Sequence, residues 1–300
     1  MRSLALRVGL PLADLVVRSL PRGLAYAMAD RLGRTWHRRS EVRRTMVAAN
    51  LARVCAATGR PTSGPAFNAL VERAFVEYAR YYLELLRAPH YQVRRLDSTV
   101  SVDDWEAWRP RLHEGMVVVS LHLGNFEPFG LLLAAEGLRA VAPVEETRPR
   151  ELFEFLRARR AAGRVEVVPM SRSRRPMLEA LRSGGIAALI ADRDLSGHGH
   201  PVTMFGHPTT LPTGPAALAV ISGRPLLVAA CIREAPEQFR ARVWLVESAR
   251  TGDRQADTAA LTEAMGQLFE EAIAIAPEQW FAAFQPYWLD QRAAARGRSR

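Results

Sequence analysis

The chain has 300 residues, 48% of them hydrophobic and 24% charged, an ordinary globular balance with length for a sizeable core. That excludes a wholly disordered chain, a collagen-like fibre and a coiled coil. Every one of the 41 basic residues is arginine, set against 31 acids. The excess is uneven: residues 1–60 hold twelve arginines against Asp14, Asp30 and Glu41, and the remainder is nearly neutral. Such asymmetry predicts an anionic partner, either nucleic acid or a phospholipid surface.

At the N-terminus, Leu4, Val8, Leu12, Leu15, Val16 and Leu20 recur at three- and four-residue steps, the spacing of a helical face, with Pro11 and Pro21 as limits or kinks. Charges interrupt this stretch before it reaches the roughly 18 apolar residues of a membrane span. It also lacks the uninterrupted apolar segment of a secretory signal, so the expectation is a protein that is not exported. Residues 40–57 predict a second amphipathic helix, with Val42, Met46, Asn50, Leu51 and Val54 inward and Arg43, Arg44 and Arg53 outward. After a Gly/Pro/Ser loop at 59–65, residues 66–87 predict a third helix, with Phe67, Leu70, Val71, Phe75, Tyr78, Tyr82 and Leu85 on one face. Residues 1–95 thus read as a basic helical region.

From 96 to 290 the pattern changes. Short apolar runs at 116–121, 165–168, 186–191, 226–232 and 243–246 alternate with helical stretches at 126–137, 150–162, 175–183, 213–222 and 257–275. The alternation predicts an α/β fold with a central, mostly parallel sheet flanked by helices. Residues 291–300 form a basic tail (Arg292, Arg296, Arg298 and Arg300) expected to be disordered. Cys55 and Cys231 each lie in an apolar run and read as core residues.

In such sheets ligands gather beyond the carboxyl ends of the strands. That rule selects the segment from Ser120 to Glu127, after the run 116–121, and the segment from Ala191 to Gly197, after the run 186–191. In the first, His122 follows a buried strand, and Gly124 and Asn125 precede a helix start with Glu127 in its first turn. On a regular helix the two would stand about 140° apart. His122 and Glu127 can therefore meet only if His122 lies on a turn that folds back. A carboxylate there would fix the imidazole tautomer and leave the other nitrogen as a base for a hydroxyl. The bland alternative is a loop histidine and an acid that favours the helix dipole. In the second segment, Asp192 and Asp194 either hold Arg193, bind sugar hydroxyls or close the strand with an Asx turn. Arg159 and Arg193 suit phosphate, or are solvated. His198 and His200 read as loop, and no metal site is expected. Trp280, Phe284 and Trp288 line an acyl groove, seat the C-terminus at a membrane interface, or pack the core.

These segments carry a resemblance in order along nearly the whole chain. His122-Leu-Gly-Asn-Phe-Glu127 resembles the H-x4-(D/E) box of glycerolipid acyltransferases, and more specifically of the HtrB-like lipid A acyltransferase family. The actinobacterial branch of that family acylates phosphatidylinositol mannosides. Glu145-Glu146-Thr147-Arg148-Pro149 followed by Leu152-Phe153 is similar to the family's E-R-L-K-P…L-F segment, and Arg159 to an arginine near its site. Ala191-Asp192-Arg193-Asp194 resembles A-D-R-D, and Phe205-Gly206…Pro212-Thr213-Gly214-Pro215-Ala216 resembles F-G…P-x-G-P-A. Pro277-Glu278-Gln279-Trp280…Phe284-Gln285-Pro286…Trp288 resembles P-E-Q-W…F-Q-P-x-W, and Arg43 to Val54 resembles R-R…A-N-L-x-R-V. There are two departures. Residues 199–206 (Gly-His-Pro-Val-Thr-Met-Phe-Gly) lack the two acids of the branch's G-V-E-V-D-F-F-G, and Glu146 replaces an arginine.

The resemblance implies a membrane-surface O-acyltransferase with no cofactor beyond an acyl-CoA or acyl-carrier-protein co-substrate. It implies a glycolipid acceptor, most specifically a phosphatidylinositol mannoside, and a peripheral place on an anionic phospholipid surface at the cytoplasmic face of the cell membrane. It carries His122 as general base and Glu127 as its partner. Glu145, Arg148, Arg159, Asp192, Arg193, Asp194, Gly124 and Asn125 are the expected substrate-binding set, with backbone N–H groups near Gly124 and Asn125 as oxyanion donors. Two alternatives stand beside it: a lysophospholipid acyltransferase with a non-mannoside acceptor, and a nucleic-acid-binding protein using the basic N-terminal region. The second lacks any helix-turn-helix, RRM or zinc module.

Overall fold

The computed structural model describes residues 14–87, 99–144, 154 and 165–297. Glu145, Arg148, Arg159, the expected helix at 150–162, residues 1–13 and the last three residues of the basic tail lie outside them.

Among the described residues the basic region folds as a short helical stretch at 14–19 and three longer helices, α1 (Arg22–Arg39), α2 (Glu41–Ala57) and α3 (Gly64–Arg87). Pro21 stands just before α1, where its missing N–H is no loss, and His37, Arg38 and Arg39 in the last turn favour the helix dipole. Gly33 lets α1 lie directly on α3: a Cβ there would come 2.6 Å from the Val76 Cα. The inner face of α2 is Val47, Asn50, Leu51, Val54 and Cys55. Val42, expected inward, is 81% exposed, because it precedes the turn at which α2 meets the body. Asn50 donates to the carbonyls of Ala283 (2.7 Å) and Gln285 (2.9 Å), and the outward-read Arg43 reaches the Phe284 carbonyl at 2.6 Å. α2 is thereby fastened to the α/β body; α2 and α3 share its main core cluster, while Ala25, Tyr26 and Ala29 of α1 pack with Leu83 in a separate one.

The body is a seven-stranded sheet in the order β1-β9-β8-β2-β5-β3-β4. Its strands are β1 (Val100–Val102), β2 (Met116–Gly124), β3 (Ala140–Val144), β4 (Val165–Pro169), β5 (Ile186–Ile190), β8 (Leu226–Ala235) and β9 (Gln238–Leu245). All its pairings are parallel except β8 with β9. β6 (His200–Met204) and β7 (His207–Leu211) form a separate hairpin. The longer helices of the body among the described residues are α4 (Trp105–Leu112), α5 (Glu127–Ala135), α6 (Arg174–Arg182), α7 (Gly214–Ser222), α8 (Arg254–Ile275) and α9 (Leu289–Gly297).

Alternation along β2 shows why both faces are covered. Val117, Val119, Leu121 and Leu123 enter the cluster shared with α2, α3 and the C-terminal segment. Met116 and Val118 enter a second cluster with Leu112, Phe129, Leu132 and Leu133. Period-two burial on both faces gives the continuous apolar run of a central strand. The four strands absent from the sequence reading are the atypical ones. β1 has three residues, β3 contains Pro143, and β6 and β7 carry Pro201 and Pro208. The expected run 243–246 is only the end of β9, whose first half alternates polar with apolar residues.

Candidate active site

β2 and β5 are parallel neighbours with Ser120 opposite Ile190, so their carboxyl ends emerge side by side. Two residues further on, that register sets His122 beside Asp192. The imidazole Nδ1 lies 2.6 Å from Asp192 Oδ1, and the His122 backbone N–H donates to Oδ2 at 3.1 Å. Trp280 Nε1–H donates to Oδ2 at 3.2 Å, held there by a bridge between Trp280 and Leu123. Asp192 is fully buried, while the His122 side chain is 38% exposed. Burial pushes the Asp192 carboxyl upward. The His122 charge, the bonds from its ring and amide, and the Trp280 indole outweigh burial and hold it below the usual carboxylate range. A carboxylate on Nδ1 assigns the proton to that nitrogen and leaves Nε2 as an acceptor.

The partner on Nδ1 is therefore Asp192, not Glu127. β2 continues through His122 to Gly124 rather than ending at residue 121, so His122 stands in the strand and not on a turn that folds back. Glu127 is the first residue of α5, and its N–H is capped by Asn125 Oδ1 at 3.1 Å. Gly124 has φ +61°, and a Cβ there would sit 2.1 Å from the Cys231 carbonyl, so the strand can turn against β8 only with glycine. The oxyanion donors expected around this turn are largely committed. Asn125 N–H donates to the Cys231 carbonyl at 2.8 Å, Glu127 N–H to Asn125, residue 128 is proline, and Phe129 N–H is directed at the Cys231 sulfur.

Asp194 is spent on its own loop. Its two oxygens accept from Ser196 N–H (3.0 Å), Ser196 Oγ (2.8 Å), Gly197 N–H (2.9 Å), Gly199 N–H (2.9 Å) and Thr210 Oγ1 (2.8 Å). Burial raises its pKa, and these five bonds more than offset that, leaving it at about 2. It is the Asx-turn alternative, with the loop wrapped around one carboxylate. Arg193, between the two aspartates, is half-buried, and its charge reaches Tyr78 on α3. In the hairpin, Val202 and Met204 face inward while Pro201 and Thr203 are exposed. These last two hold the places of the missing acids, so the loss leaves the carboxylate behind His122 untouched. Trp280, Phe284 and Trp288 are buried core residues rather than a groove lining, and Trp280 has the added task at Asp192.

Sequence reasoning placed Asp192 near the site but missed its role. The signal was the parallel register of two strands, which a single sequence does not display. It also missed Glu84 and Arg233, buried polar residues inside apolar stretches. Glu84 accepts from Asn125 Nδ2 at 3.0 Å, immediately behind the turn.

The profile of the family described as "Bacterial lipid A biosynthesis acyltransferase" matches residues 11–290. A Mycobacterium tuberculosis (strain ATCC 25618 / H37Rv) protein named phosphatidylinositol mannoside acyltransferase is 32% identical over 257 residues, 82% of this chain and 78% of its own length. A protein of the same name from Mycolicibacterium smegmatis (strain ATCC 700084 / mc(2)155) is 31% identical over 261 residues, 83% of this chain and 82% of its own.

Proposed function

The chain belongs to the bacterial lipid A biosynthesis acyltransferase family, and from that premise we propose that it moves a fatty acyl chain from a thioester to a hydroxyl of a phosphatidylinositol mannoside. It is an acyltransferase of lipid biosynthesis; the acceptor, the donor and the roles of individual residues are our reading. The donor is acyl-CoA or acyl-carrier protein.

The observation that carries the reading is His122 on Asp192 at 2.6 Å, with the His122 side chain 38% exposed. Nε2 takes the proton of the acceptor hydroxyl as its oxygen bonds to the thioester carbonyl carbon. Asp192 stabilises the imidazolium that forms. When the tetrahedral species collapses, the C–S bond breaks and the thiolate takes the proton back from Nε2. Glu127 is assigned the second carboxylate, at the start of α5. Arg193 is assigned to the acceptor head group or donor phosphates, as is Arg159, with Glu145 and Arg148 as further substrate contacts; these last three lie outside the described residues.

Incubation with labelled acyl-CoA and total polar lipids, followed by mass spectrometry, is expected to place the label on a mannosylated phosphatidylinositol. His122→Ala is expected to lower the rate about a thousandfold. Label on a lysophospholipid alone would move the acceptor, and near-wild-type turnover of His122→Ala would sink the mechanism.

The membrane surface is assigned to the outer face of α1. Leu24, Met28 and Leu32 are exposed there at four-residue steps, and Leu15 and Val16 are exposed just before them. Beside them, Ala27, Arg31, Arg34, Thr35, Arg38 and Arg39 line a basic depression of about 530 Å³. No described helix is long and apolar enough to cross a membrane. An apolar row flanked by arginines suits an interfacial helix, each arginine contributing about 1 kcal/mol at an anionic leaflet. Changing Leu24, Met28 and Leu32 together to serine is expected to abolish flotation with phosphatidylinositol-containing vesicles; unchanged flotation would remove the assignment.

A further inference from the structure

Behind the turn that follows Gly124 lies a charged cluster whose inner members, Glu84 and Arg233, are buried, while Arg80 and Asp30 reach the surface. Glu84 of α3 is completely buried, and its two oxygens collect four donors. Oε1 accepts from Tyr26 Oη of α1 at 2.5 Å and from Arg233 Nε of β8; Oε2 accepts from Arg233 Nη2 at 2.8 Å and from Asn125 Nδ2 at 3.0 Å. Arg233 spends its remaining guanidinium nitrogen on Glu77, which Arg80 also contacts, at 3.0 Å. Arg80 in turn holds Asp30 of α1 at 2.6 and 2.8 Å. Four donors on one carboxylate exhaust its acceptor capacity.

A buried ion pair is weak evidence for stability, because removing both charges from water costs several kcal/mol and apolar replacements often do as well. The cluster is better explained by what it holds. Asn125, also completely buried, stands three residues after His122, and its other side-chain atom caps α5. On its far side, the Arg233 main chain is gripped at N–H and C=O, both at 2.9 Å, by Gln279. Gln279 is the neighbour of Trp280, which donates to Asp192. One ion pair therefore fixes both segments that shape the dyad: the turn leaving His122 and the segment that presents the indole to Asp192.

We propose that Glu84 is a positioning residue for acyl transfer, acting through Asn125 to set the His122 turn and making the N-terminal helices part of the active site. The proposal rests on the reading of His122 as the base. Its effect falls on kcat, since neither Glu84 nor Asn125 meets the acceptor.

The test compares Asn125→Ser, Asn125→Asp, Glu84→Gln and the double variant Glu84→Gln/Asn125→Asp, with His122→Ala alongside. Serine keeps an oxygen to cap α5 but cannot reach Glu84 as a donor, so Asn125→Ser should fold while kcat falls about tenfold at unchanged acceptor KM. Asn125→Asp sets two carboxylates face to face and should lose more. In the double variant the carboxamide nitrogen introduced at position 84 can donate to the new carboxylate but then also faces Arg233 Nη2, so kcat should recover only part of what Asn125→Asp loses. Full kcat in Asn125→Ser, or a double variant no better than Asn125→Asp, would overturn the proposal. Should either carboxamide exchange fail to fold, Asn125→Ser alone decides. If His122→Ala stays active, the base assignment fails; if it is dead and Asn125→Ser is not impaired, only the positioning role fails.

Discussion

Two carboxylates stand behind the strand end that carries His122, and they are bound in opposite ways. Asp192 accepts from an imidazole, an amide and an indole, and the imidazole side chain is 38% exposed. Glu84 accepts from a phenol, a guanidinium and a carboxamide, none of which changes charge near neutral pH, and the whole group is sealed. The first arrangement can store and return a proton; the second can only hold. Burial alone does not distinguish them, since both carboxylates are at 0% exposure. The partner's chemistry does.

The largest expected effect of breaking this contrast is at Asp192. In Asp192→Asn, one side-chain atom becomes a donor, and it must face the His122 ring N–H, the His122 amide or the Trp280 indole, all donors themselves. The amide also cannot stabilise an imidazolium. The expected outcome is a loss of about a thousandfold in kcat, with acceptor KM within a few-fold and the protein folded. The same measurement on Asn125→Ser, at about tenfold, gives the ratio between the carboxylate on the imidazole and the carboxylate behind the turn. An Asp192→Asn variant that keeps more than a tenth of wild-type kcat would erase the contrast.

The parts legible in the sequence follow from this difference. β2 and β5 were readable because they are buried on both faces and appear as unbroken apolar runs, and His122 was conspicuous as the first polar ring after one of them. The family motifs then named Glu127 as the partner, since H-x4-E is contiguous in sequence. Asp192 lies 70 residues away and reaches His122 only through strand pairing. Its neighbour Asp194 looked equivalent in the A-D-R-D segment. What separates them is Gly199, where a Cβ would lie 2.8 Å from Asp194 Oδ2, so the loop can close on Asp194 only with glycine. Glu84 and Arg233 were invisible for a similar reason. A single charge in an apolar run reads as an exposed position until the opposite charge, 149 residues on, is brought against it. The apolar row at 24, 28 and 32 on α1 has no place in the sequence reading, and only the fold shows it as an exposed face.

The smallest effect, and the one that separates the two sides by pH alone, is acid sensitivity. Asp192 and Asp194 are depressed below their ordinary value of 3.8, Asp194 to about 2. Between those values the unfolded chain binds more protons, so their stabilisation is complete above about pH 4 and is lost as pH falls toward 2. Glu77, in the Arg233 cluster, behaves in reverse. Burial raises it above 4.5 despite Arg233 and Arg80, so the folded chain binds more protons just above that value and stability gains slightly as pH falls through it. Thermal melts from pH 7 downward should therefore stay level or rise slightly to about pH 5 and fall below pH 4. Asp194→Asn should melt lower at pH 7 and lose less between pH 4 and 2.5, because its amide carries no proton-linked term. A wild-type decline beginning above pH 5, or an Asp194→Asn decline as steep as wild type, would place the acid-labile group elsewhere than in the turn after β5.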